Sequence, residues 1–199
     1  DWTIENCKQL YDDLIQVIKN NSKTHFFGSI VSVYEPSGRN TEFLIIDGEQ
    51  RLTTMSLLFL AMYNLLEEKI IISEDESLKD QIYEDFLVDK YQPQEKRMKL
   101  KPIKNDQKAF SKLFNSKDDY IKDSNLTINY SYFYERIQKQ EITIDELFDA
   151  ICRLEIINIT LNNEDNPQLI FESLNSTGLD LSEGDKIRNY ILMGLPKQK

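Results

Sequence analysis

Glu42-Phe43-Leu44-Ile45-Ile46-Asp47-Gly48-Glu49-Gln50-Arg51-Leu52-Thr53-Thr54-Met55-Ser56-Leu57-Leu58-Phe59-Leu60 is where the chain changes its period. Up to Ile46 the residues are β-branched and aromatic, which reads as a strand. Beyond Arg51, Leu52, Met55, Phe59, Met62, Leu66 and Ile70 recur at helical steps, and Leu57, Leu58, Leu60 and Leu65 broaden that surface. An apolar surface this wide predicts a helix buried on most sides. Gly48 stands at the join, where a residue without a Cβ permits a tight bend and close backbone approach.

Upstream, Phe26 to Glu35 is a second β-rich run, and Pro36-Ser37-Gly38-Arg39-Asn40 is a cluster of turn residues. The two runs predict a β-hairpin with a loop of about five residues. Ile4, Cys7, Leu10, Tyr11, Leu14, Val17 and Ile18 predict an amphipathic helix over 4–19. Downstream, helices are predicted around 78–87, 106–114 and 127–139, and from a Thr143/Glu146 capping box to Cys152. Lys96 to Ile103 alternates basic and apolar residues and reads as a strand with one wet face. Glu155 to Leu161 is a further β-rich run, and Pro167 and Ser182 open two last helices reaching about Asn175 and Met193. Without regular βαβ alternation, the expected class is α+β: a small mixed sheet with a helical extension.

The chain has 199 residues, 40% hydrophobic and 29% charged, with 6 Gly and 5 Pro. That is globular composition, long enough for a core without staples. No apolar run approaches the length of a membrane span, and the N-terminus lacks the basic and apolar regions of a signal peptide. The expectation is a cytoplasmic chain, beginning inside a longer gene product because it has no initiating Met. With only Cys7, Cys152 and His25 available, a structural zinc site, a His-rich metal nuclease centre and a Ser-His-Asp triad with spare candidates fall away. The two cysteines are expected to be buried thiols rather than a disulfide. A formal charge of −10 argues against a protein that coats DNA through bulk charge.

Asp47-Gly48-Glu49-Gln50-Arg51 is the segment with chemistry in it. The first N–H groups of a helix are unpaired and, with the helix dipole, favour an anion. Arg51 can fork two phosphate oxygens, Asp47 can hold Mg²⁺ or orient a water, and Gln50 can bond water or ligand. The plainer reading makes Asp47 a helix cap and Arg51 the partner of a surface acid. No Gly-rich phosphate loop of either standard pattern is present.

Ile46-Asp47-Gly48-Glu49-Gln50-Arg51-Leu52-Thr53-Thr54 resembles the I-D-G-Q-Q-R-L-T-T signature of the N-terminal domain of GmrSD-type restriction endonucleases. Trp2 with Gln9–Leu14, His25-Phe26-Phe27-Gly28-Ser29-Ile30, Met98-Lys99-Leu100, and Phe171–Leu181 with Asp185 resemble further blocks of that family, in family order. The resemblance covers nearly the whole of 1–199. It implies a fold similar to ParB and sulfiredoxin, with 1–72 and 96–103 as the sheet-containing core. It implies a prokaryotic phage-defence protein whose N-terminal domain binds and hydrolyses a nucleoside triphosphate. A C-terminal HNH-like nuclease half cuts modified DNA in such proteins. On that basis Asp47, Gln50 and Arg51 carry over as catalytic, Gly48, Arg51 and Asn175 as nucleotide-binding, and Asp47 as the Mg²⁺ ligand. Glu49 departs from the family's Gln and adds a negative charge beside the proposed phosphates. An upstream P-x-x-Q-R-x-Y-x-W segment is represented only by its last residue, Trp2. The nuclease half is missing from these residues and one histidine cannot replace it, so the chain alone is not expected to cut DNA.

Arg97, Lys99 and Lys101 lie in the one basic stretch: residues 89–104 hold six bases and two acids, +4 in a chain of −10. They are candidates for phosphate or DNA contact, as is His25. Equally, a row of lysines is a common guard on an exposed strand, and a lone histidine is commonly structural. The rival to the enzyme is a non-catalytic module that binds modified DNA or a partner chain.

Overall fold

α1 (Ile4–Lys19) forms over the residues its apolar spacing predicts and buries Cys7, Leu10, Tyr11, Leu14 and Val17. The computed structural model describes residues 2–37, 40–93 and 97–161, and residue 169. After α1 come β1 (His25–Ser37), β2 (Asn40–Asp47), α2 (Glu49–Glu67) and α3 (Leu78–Gln81). α3 runs on into a π-helical turn, Ile82–Leu87. α4 (Lys104–Lys112), α5 (Asn125–Gln138), α6 (Ile144–Cys152) and β3 (Leu154–Leu161) complete the described elements. The class is α+β, as expected.

The chain divides into two compact units. One is Asp1–Phe27 with Glu49–Glu155, and the other is Gly28–Gly48 with Ile156–Lys199. In the helical unit α2 is the central element, with Leu57, Leu58, Leu60, Ala61, Met62 and Leu65 all at 0–1% exposure. That is the all-round burial its wide apolar surface predicts. α2 packs on α5, where Tyr130 and Phe133 are buried and Asn64 Nδ2 donates to Tyr130 Oη at 2.7 Å. The tyrosines and phenylalanine of α5 therefore serve mainly as core; fully burying such a side chain is worth roughly 1.5–3 kcal/mol. α6 opens with the predicted reciprocal cap: Thr143 N–H donates to Glu146 Oε2 at 2.8 Å, and Glu146 N–H donates to Thr143 Oγ1 at 3.1 Å.

The sheet has three strands in the order β2-β1-β3. β1 and β2 pair antiparallel from Ser37↔Asn40 to Val31↔Asp47. The predicted loop is thus shortened, because pairing runs through Pro36↔Thr41 and takes in residues assigned to the turn. A bulge between Val31 and Ser32 leaves Ile46 with no opposite residue, since Ser32 pairs with Ile45 and Val31 with Asp47. Bulges re-aim side chains at strand ends, and this one sets Asp47 beside the neighbour of the residue that Ile45 faces.

Residues 97–103 are not a strand of this sheet. They contribute an isolated antiparallel bridge, Val88↔Met98, flanked by Lys99 N–H to Leu87 O at 3.0 Å and Asp89 N–H to Arg97 O at 2.8 Å. The alternation is real, with Met98 and Leu100 packed against the core and Lys99 and Lys101 exposed. It records two environments, which a short pairing of extended segments supplies without a ladder. Both cysteines are free; Cys7 is buried, but Cys152, at the end of α6, is exposed, against the expectation. The predicted helices at 167–175 and 182–193 lie outside the described residues.

Candidate functional site

The segment 47–51 passes from one unit to the other after Gly48, so its halves are taken in turn. In the sheet unit, Asp47 ends β2 partly exposed, and Gly48 is buried with φ +93°. A Cβ on Gly48 would meet Ile30 Cγ1 at 3.0 Å and the Ser29 carbonyl oxygen at 3.0 Å. Both the positive φ and the lack of room demand glycine here. In the helical unit, Glu49, Gln50 and Arg51 form the first turn of α2, all partly exposed.

Gln50 has a definite task. Its Oε1 accepts the Trp2 backbone N–H at 3.1 Å, and the Trp2 carbonyl accepts from Asn129 Nδ2 at 3.0 Å. The Trp2 backbone is thus held from α2 and α5 at once, and its ring meets Phe27 edge-on at 6.3 Å between centroids. Beneath it lies a cavity of about 190 Å³. Gln50, Thr53, Thr54 and Leu57 line it from α2, and Asp123, Ser124 and Asn129 line it from the start of α5. Positions 50, 53, 54 and 57 share one helix face at i, i+3, i+4 and i+7. Arg51, one residue off that face, is not among the lining residues. Thr53, Thr54 and Asn129 are 5%, 2% and 3% exposed. Among the described residues, the buried side-chain atoms without a hydrogen-bond partner are Tyr11 Oη, Arg97 Nε and Thr127 Oγ1.

The other sequence candidates are dispersed. His25 opens β1, with Nε2 3.6 Å from Asp13 Oδ2 and both side chains about one-third exposed, at 36% and 32%. Lys99 Nζ donates to the Asp85 carbonyl at 2.8 Å. Lys101 is exposed, and Arg97 is partly buried with its Nε unbonded. Lys90, in the same stretch, pairs with Glu84 at 2.6 Å. Asn175 lies outside the described residues. Among the described residues, no group of three or more His, Cys, Asp or Glu is placed to hold a metal ion.

The model of the GmrSD restriction endonuclease N-terminal domain matches residues 1–192. The chain belongs to this family. Among curated proteins, the comparison found no match. Membership in the GmrSD N-terminal-domain family gives the chain a restriction, and so phage-defence, setting. An N-terminal domain of a restriction endonuclease also implies a C-terminal nuclease part in the full-length protein. No helix of the described residues is long and apolar enough to cross a membrane. Within the GmrSD-type signature, Gln50, Thr53 and Thr54 are the residues the structure finds at the cavity. The threonines could have been noticed in the sequence as polar residues opening an otherwise apolar helix. Asp106, Asp123 and Asn129, which also line it, carry no such signal.

Proposed function

We propose that this chain is the nucleotide-binding and nucleotide-hydrolysing regulatory domain of a modification-dependent DNA restriction protein. The observation that carries the reading is the strand–Gly48–helix junction. Its glycine cannot be replaced without strain, and a helix with an arginine in its first turn, whose dipole favours an anion at that end, follows at once. In the proposed reaction, water attacks the terminal phosphorus, a new P–O bond forms, and the bridging P–O bond to the nucleoside diphosphate breaks. Arg51 and the first N–H groups of α2 stabilise the transferring phosphoryl group. Asp47 is the group assigned to orient the water or bind Mg²⁺. Magnesium commonly binds through one or two carboxylates, phosphate oxygens and retained waters. A lone Asp47 carboxylate therefore fits an ion that arrives with the triphosphate, and when bound it neutralises phosphate charge. The ParB- and sulfiredoxin-like fold remains part of this proposal.

The test is phosphate release from nucleoside triphosphates by the chain and by Asp47→Ala and Arg51→Ala. Loss of a group stabilising transition-state charge is expected to lower turnover by about 10²–10³. Equal rates in all three proteins defeat the enzyme reading. The exposed Lys99 and Lys101, beside an 87%-exposed Tyr91 in the same segment, favour the second reading, a module that binds modified DNA. That reading predicts DNA binding that weakens with salt and is lost in Arg97→Ala/Lys99→Ala.

A further inference from the structure

The outer edge of β2 is a feature that neither reading of the function uses. Among the described residues β2 has a strand on one side only, in the order β2-β1-β3. Which of its backbone groups point outward follows from one proline. In an antiparallel ladder, opposite residues alternate between pairs that exchange both N–H···O bonds and pairs that exchange none. Pro36 has no N–H, so Pro36↔Thr41 is of the second kind. The alternation makes Tyr34↔Phe43 and Ser32↔Ile45 of the second kind too, and Val33↔Leu44 of the first. The N–H and C=O groups of Thr41, Phe43 and Ile45 therefore point away from β1, along the open edge.

Natural sheets guard such edges with lysine, proline or a charge aimed into the contact. From Asn40 to Asp47, β2 has no lysine, arginine or proline, and its charges, Glu42 and Asp47, flank the run Phe43-Leu44-Ile45-Ile46. Phe43 and Leu44 are 50% and 51% exposed, and as neighbours in a strand they face opposite sides of the sheet. Tyr34 meets the Phe43 ring edge-on at 6.0 Å and widens one of those sides. A strand added here has to be apolar on both faces and to keep its carboxylates away from Glu42 and Asp47. β2 of a second copy meets both requirements. Laid antiparallel about a two-fold axis at Leu44, it sets Leu44 opposite Leu44 and Phe43 opposite Ile45, and Glu42 falls opposite Ile46. No two carboxylates meet, whereas centring the pair on Glu42 would oppose like charges. Phe43 and Ile45 are also residues whose N–H and C=O groups point outward, so one register serves backbone and side chains together.

We propose that the β2 edge pairs with β2 of a second copy of this chain, joining the two sheets across a two-fold axis. Each copy carries −10, so the copies approach against long-range repulsion and salt strengthens the contact. The experiment is sedimentation of the 199-residue chain over a range of concentration and salt, with amide hydrogen exchange on the same samples. The mass is expected to rise from one chain to two, more readily in high salt. Protection of the Phe43 and Ile45 amides is expected to rise with it, while that of Leu44, already bonded to Val33, changes little. Leu44→Lys sets two lysines face to face at the axis and is expected to weaken the dimer at least about tenfold. Phe43→Pro removes an N–H that the hairpin does not use, so it is expected to abolish pairing while the Leu44 amide stays protected. If Phe43→Pro loosens the hairpin, Leu44→Lys decides alone. A chain that stays single at every concentration overturns the proposal and leaves the edge to a strand of another protein. A dimer that Leu44→Lys leaves intact, or one that salt weakens, overturns it as well, because its contact then lies elsewhere or is held by ion pairs.

Discussion

Replacing Gly48 by alanine tests the junction on which the nucleotide reading depends. At φ +93° an L-residue is strained, at a cost of about 1–3 kcal/mol. The new Cβ would also lie 3.0 Å from both Ile30 Cγ1 and the Ser29 carbonyl oxygen. The isoleucine methylene can shift, but the carbonyl belongs to β1 and can move only if the strand moves. Together the two effects place the penalty near 3 kcal/mol, a little above the strain alone. Because the chain forms two units, a single melting temperature is a poor gauge. Amide hydrogen exchange resolves the answer by segment. Protection of the paired amides between Ser32–Tyr34 and Phe43–Ile45 is expected to fall by about a hundredfold, at 1.4 kcal/mol per factor of ten. Gly48→Asn is expected to fall less, because asparagine tolerates positive φ better while keeping the same contacts. Unchanged protection in Gly48→Ala would refute the claim that this position demands glycine, and with it the argument that the bend is built for close backbone approach.

Two further outcomes follow from the helical unit. The Arg136 guanidinium, bonded to Glu141, Asp12 and Tyr132 and lying over the Tyr11 ring, holds the Glu141 carboxyl below its ordinary 4.5. A depressed carboxyl stabilises the fold above the unfolded value and loses that contribution as pH falls through the folded one. Urea midpoints measured downward from pH 5 are therefore expected to fall more steeply in the parent chain than in Arg136→Met, and parallel curves would contradict this. Burial pushes the Cys7 thiol up to about 12, whereas Cys152 is exposed. A thiol-exchange reagent is expected to label one thiol per native chain, and none in Cys152→Ser until it is unfolded; rapid labelling of two would be the opposite result.

Much of this architecture was legible because local preference and burial agree along the chain. α1, α2, α5 and α6 each announce themselves by apolar spacing, and the Thr143–Glu146 cap forms as its residue types require. The hairpin was legible too, apart from its length, since pairing continues through Pro36↔Thr41 to Ser37↔Asn40. Residues 97–103 misled because alternation reports which side faces water and says nothing of a ladder partner. The π-helical turn at Ile82–Leu87 had no signature at all; it is a local choice of hydrogen bonds within a stretch of helical spacing. The segment 47–51 was visible as a short contiguous pattern. The cavity was not, since it draws on residues 2, 50–57, 106 and 123–129, several of which look in the sequence like ordinary helix caps or first-turn acids.

The three polar residues at the start of α2 separate what the fold needs from what the site needs. From Leu57 onward this helix is apolar nearly all round, and its burial accounts for the core of the helical unit. One turn earlier, on the same face, Gln50, Thr53 and Thr54 replace the leucines that would continue that packing. Valine is nearly isosteric with threonine and carries no hydroxyl to desolvate, so a purely structural helix would gain from apolar residues at 53 and 54. Gln50 could be excused as a peg for the Trp2 backbone, because its carbonyl has a partner. Sites that bind commonly give up stability that an ordinary core would keep. The polar patch facing the cavity, at the base of a helix whose remaining length is apolar nearly all round, therefore marks where the leucine packing of α2 gives way to the cavity wall.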